Sequence, residues 1–112
     1  MANFIIEEFE FYKVLLYSNH PSHVIDMGVE ISLPDGKAIL RFRNDELPDN
    51  SMEKNGSKNI YYVYFGTHMY APMIDILRNE EPLYFYYNHD NHESYITTGD
   101  EPVGEGEMES VA

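Results

Sequence analysis

Four of the chain's five histidines fall into two matching pairs, His20-Pro-Ser-His23 and His89-Asp-Asn-His92. Neutral imidazole is a ready ligand for zinc or copper, and Asp90 and Glu93 stand beside the second pair. In an up-and-down meander the connections carrying the two pairs share one end of the fold. All four imidazoles then meet as a metal site. Two considerations weigh against it. His, Asn, Asp and Ser are ordinary turn residues, and an all-His site departs from the usual structural zinc sets. Binding of a metal or small ligand through His20, His23, His89 and His92 is therefore the alternative reading, and no resident cofactor is implied.

Catalytic patterns are weaker. No G-x-S-x-G nucleophile elbow occurs, and the serines sit mostly in polar turns. There is no cysteine to act as a thiol nucleophile. No Gly-rich loop joins a strand to a helix as phosphate binding requires. Twenty acids offer many carboxylate pairs, yet no spacing singles one out for glycosidase-type chemistry. No catalytic activity is expected.

Tyrosine is the more informative excess. Tyr61, Tyr62, Tyr64, Tyr84, Tyr86, Tyr87 and Tyr95 crowd into the last part of the chain, with Phe65 and Phe85 among them. Strand alternation sends 61, 63 and 65 to one face and 60, 62 and 64 to the other, and it divides 84 and 86 from 83, 85 and 87. One face packs the core. Tyrosines on the other offer large, rigid contact area with a wet hydroxyl, as at protein interfaces. Lys37, Arg41 and Arg43 form the only positive stripe. The expected partner-binding set is Tyr61, Tyr62, Tyr64, Tyr84, Tyr86, Tyr87, Arg41 and Arg43. A stacking platform for single-stranded nucleic acid also uses aromatics, but it needs a basic groove that three residues do not make.

Charge narrows the partner further. Seven basic and twenty acidic residues leave a net charge of −13. That disfavours nucleic acid, whose phosphates demand Lys and Arg, and anionic membrane surfaces. It suits a basic protein surface, steered by long-range attraction. Homodimerisation through the tyrosine face is a further expectation. No apolar run approaches the about 18 residues of a membrane span. The first eleven residues lack the basic n-region of a signal peptide. Absence of cysteine fits a reducing cytoplasm.

The elements that must position these residues read mostly as strands. Val24 to Leu33 alternates apolar and polar with period two, the mark of a strand with one wet face. Pro34-Asp35-Gly36 makes a turn, and Lys37 to Arg43 alternates again. A two-residue loop at Asp35-Gly36 pairs Ile31 with Leu40 and Val29 with Phe42, keeps both apolar faces together, and sets Glu30 opposite Arg41. A three-residue loop with a bulge at Gly36 puts Arg41 on the core face instead. The face pattern favours the even loop.

Phe9 to Tyr17 reads as one long bent strand, residues 44–59 as the longest internal loop, and Ile60 to Phe65 as a strand covered on both faces. Met69, Met73, Ile74 and Leu77 fall at helical spacing after a Thr67 cap, with Pro72 in the first turn. Leu83 to Tyr87 and Glu93 to Thr98 make a final hairpin around a tight turn at 88–92. Residues 100–112 hold five acids and no base, which predicts a disordered acidic tail of charge −5.

The expected molecule is one mainly β domain over 1–99. Its order is β-β-β-β-α-β-β, in a small antiparallel barrel or strongly bent sheet, SH3-like or OB-like in outline. Its expected role is that of a small acidic interaction module, of adaptor, regulatory or inhibitor type.

Overall fold

The computed structural model describes residues 3–17, 27–44, 46–100 and 103. Among these residues are eight strands and one short helix: β1 (Phe4–Phe9), β2 (Tyr12–Leu16), β3 (Met27–Leu33), β4 (Gly36–Arg43), β5 (Ser51–Asn55), β6 (Lys58–Gly66), α1 (Tyr70–Asn79), β7 (Leu83–Asn88) and β8 (Ser94–Thr97). A 3-10 turn, Thr67–Met69, leads into α1. The mainly β class with a single helix is as expected. The barrel is not. The strands make an open five-stranded sheet, β2-β3-β4-β6-β5, and a three-stranded sheet, β1-β7-β8.

The elements differ from the expected ones in three places. First, Phe9 to Tyr17 is not one strand. The chain breaks at Glu10 and Phe11, and its halves enter different sheets. Second, the 44–59 stretch is not all loop. Residues 51–55 pair antiparallel with β6. The turn has Gly56 at its first central position with φ +68°, where type II′ hairpins place glycine. Third, the sheet is mixed, because β4 and β6 run parallel.

The β3–β4 register is not the expected one. The loop is Pro34-Asp35, so Ile31 faces Ala38, Val29 faces Leu40, and Glu30 faces Ile39 rather than Arg41. Proline prefers the first central turn position. A shift of two residues leaves every side chain on its expected face. Val29, Ile31, Ala38, Leu40 and Phe42 are accordingly buried. Gly36 then starts β4 hard against β6. A Cβ there would lie 1.9 Å from the Asn59 carbonyl oxygen, and the Asn59 N–H donates to the Asp35 carbonyl at 2.8 Å.

The core lies between the inner faces of the two sheets and α1. Met73 and Leu77 are the helix residues that bury there. Tyr70 sets its ring edge-on to Phe42 at 5.3 Å, and Phe42 stacks on Phe65 at 5.4 Å. Thr67 does not cap the helix, whose N-cap is Met69 without a side-chain hydrogen bond. Its hydroxyl instead hydrogen-bonds Asn44. Phe9, Leu83, Phe85 and Tyr87 supply the three-stranded sheet's share of the core. Burying such side chains stabilises by about 1.5–3 kcal/mol each before chain entropy is counted. Among the described residues no helix is long and apolar enough to cross a membrane.

Candidate functional site

The expected tyrosine surface divides three ways, because the two sheets turn their inner faces together and their outer faces apart. Tyr61 and Tyr87 belong to the core, 2% and 1% exposed. They present no area to a partner. Their rings pack 4.9 Å apart, and Tyr61 also meets Phe85 at 5.3 Å. Burial raises the pKa of both phenols, and for Tyr61 the Glu7 charge adds to it. Glu7 shares its face of β1 with Ile5 and Phe9. Burial lifts its carboxyl above the ordinary value, and the charge of Asp35 lifts it further.

The final hairpin explains the second histidine pair. The Tyr87 hydroxyl and His92 Nδ1 are hydrogen-bonded at 2.7 Å. The His89 ring sits edge-on to Tyr87 at 5.2 Å. His92 adopts φ +64°, a conformation uncommon outside glycine. Bonds on both sides hold it: its N–H donates to the Asn88 carbonyl, and its carbonyl accepts from Asn50 Nδ2. His20 and His23 lie outside the described residues. Among the described residues no three His, Asp or Glu side chains are grouped to hold a metal ion.

Tyr84 and Tyr86 stand on the outer face of the three-stranded sheet. Register places Ile6, Tyr86 and Tyr95 in one row across β1, β7 and β8. Tyr86 stacks on Tyr95 with centroids 4.3 Å apart and planes 8° from parallel, and Phe4 packs on Tyr86 at 5.4 Å. Ile6 is 52% exposed, and Phe4 and Tyr95 are 43% exposed. Stacking fixes these rings before any partner arrives, which lowers the entropy cost of contact.

Glu8 pairs with Tyr84 in the next row of that face. It also lines a cleft of about 880 Å³ where the β1–β2 corner meets the C-terminal end of α1. Glu8, Glu10, Glu80 and Glu81 line it, against one base, Arg78, with Phe9, Leu77 and Leu83 as its apolar wall. Phe11 stands at its rim, 70% exposed. The carbonyl end of α1 adds to the negative potential there. Cleft and aromatic row thus form one continuous surface joined at Glu8. Sequence alone does not announce it, because these acids come from segments 70 residues apart. The alternation of Phe4, Ile6 and Glu8 against Ile5, Glu7 and Phe9 was the available signal.

Tyr62, Tyr64, Arg41 and Arg43 lie on the opposite side, on the outer face of the five-stranded sheet. The Arg41 guanidinium carbon sits 4.9 Å from the Tyr62 ring centroid, and its Nη1 donates to the Tyr64 hydroxyl at 3.3 Å. The Tyr62 hydroxyl donates to Glu53 at 2.8 Å. That bond, ahead of burial, raises the Tyr62 pKa.

Comparison with protein-family models, with curated proteins and with solved structures found no match.

Proposed function

We propose that the chain is a non-enzymatic protein-interaction module that takes a basic partner surface on the cleft and aromatic row. The observation that carries this reading is their continuity. Four glutamates surround a cleft with an apolar wall, and Glu8 passes directly into a row of pre-stacked exposed rings. Arg or Lys side chains entering the cleft meet carboxylates while their stems lie on Phe9, Leu77 and Leu83. Guanidinium groups over Tyr86 or Tyr95 gain cation–π attraction. A net charge of −13 supplies long-range steering. An adaptor, regulatory or inhibitor role is consistent with this physics. Absence of cysteine supports action in the cytoplasm.

The test uses full-length protein as bait at low and high salt, beside Glu10→Lys/Glu81→Lys and Tyr95→Ala baits. A stoichiometric basic partner held at low salt, and lost by the charge-reversal bait while its circular dichroism is unchanged, supports the reading. Equal capture by all three baits excludes this surface.

A further inference from the structure

The outer face of the five-stranded sheet has the opposite electrostatics to the rest of the molecule. Register and alternation place Lys13, Lys37, Arg41, Arg43 and Lys58 on it. Those are five of the seven basic residues of the chain. Among the described strand residues only two acids, Glu30 and Glu53, share the face. At its centre Arg41 is cradled between aromatic rings but incompletely paired. Its Nε is buried without a hydrogen-bond partner. Its bond to Tyr64 is long, at 3.3 Å. Lys37 meets Glu30 at 3.6 Å, whereas Arg41 has no carboxylate partner among the described residues. A half-buried guanidinium without an anion is costly, and a carboxylate is the group that completes it.

We propose that the acidic segment after Asp100 docks in cis on this face and places a carboxylate on Arg41. Three considerations select this occupant over a second copy of the chain. Residues 101–112 contain four glutamates and no base. Glu109 is nine residues beyond Asp100, an extended reach of about 30 Å, of the same order as the molecular extents of 49, 41 and 22 Å. Tethering gives the segment an effective concentration in the millimolar range, which a second copy does not match in dilute solution. This inference stands apart from the cleft reading and rests on the other sheet.

The chain has no cysteine, so a single Glu107→Cys substitution takes one nitroxide spin label in the full-length, nitrogen-15-labelled protein. Docking predicts strong loss of amide signal at residues 39–43 and 60–64 at low salt. Recovery is expected near about 1 M NaCl, where the Debye length falls to about 3 Å. Arg41→Gln should abolish the loss. Glu101→Gln/Glu105→Gln/Glu109→Gln should abolish it without touching the folded sheets, which keeps the test decisive if the Arg41 variant misfolds. Unchanged signals at those amides overturn the proposal, as does broadening that survives the triple substitution. Broadening found only when spin-labelled and isotope-labelled copies are mixed puts the segment on a second molecule and also overturns docking in cis.

Discussion

At the scale of single residues, Glu7 and Gly36 carry constraints that composition conceals. Glu7 faces inward between Ile5 and Phe9 on β1, and burial raises its carboxyl pKa. A group whose folded pKa is raised binds its proton more tightly in the folded state. Its stabilisation is full below the ordinary value of 4.5 and is lost as pH rises through the folded value. Glu7→Gln should therefore raise the melting temperature at pH 7 and leave it nearly unchanged below about pH 4. An identical difference at both pH values would contradict the inward placement. The raised phenols of Tyr61 and Tyr87 act the same way at higher pH. Their contribution is lost as pH climbs above the ordinary phenol value of 10.0. Gly36 has φ +154° and no room for a Cβ against Asn59. Gly36→Ala should destabilise by about 1–3 kcal/mol or more, read as a lower urea midpoint at unchanged slope.

At the scale of elements, α1 is a ten-residue helix too short to stand alone. Its order depends on Met73 and Leu77, which are 6% exposed each. Leu77→Ala should cost about 2–5 kcal/mol, and it should cut back the apolar wall of the acidic cleft. A urea midpoint within experimental scatter of the parent would mean that the helix does not pack as described. The elements best legible in the sequence were those whose pattern and burial agree. Val29, Ile31 and Leu33 of β3 and Ala38, Leu40 and Phe42 of β4 are buried as their alternation predicts, and Met73 and Leu77 share a helical face. Legibility failed where long-range pairing decides. Glu10 and Phe11 carry no turn signal, yet β1 and β2 part there because one pairs with β7 and the other with β3. Ser51–Asn55 is polar and poor in β-formers, and it is a strand because β6 offers an edge. Tyr61 and Tyr87 could not be told from Tyr62 and Tyr86 as interface or core until the packing of the two sheets decided which face is covered. The acidic cleft was illegible for the same reason, since Glu10 and Glu80 meet only in the folded molecule.

At the scale of the whole molecule, the distribution of charge makes salt an informative variable. A chain of net charge −13 repels itself, and compaction works against that repulsion. Screening lengths of about 10 Å at 0.1 M and 3 Å at 1 M are shorter than every molecular extent, the smallest being 22 Å. Added NaCl should therefore raise the melting temperature. Association with a basic partner at the cleft responds in the opposite direction, because salt removes the steering and weakens rim ion pairs. Its association rate should fall by about 10- to 1000-fold across that range. A homodimer behaves differently again. Two copies of the same sign repel at low salt, so self-association should strengthen as salt is added, read as a rising mass in light scattering on a sizing column. One salt titration with three readouts thus separates the alternatives. Rising stability with falling partner affinity and constant mass is the expected outcome. A mass that doubles with salt, with partner capture unchanged, would move the exposed Ile6–Tyr86–Tyr95 row from a partner surface to a dimer interface.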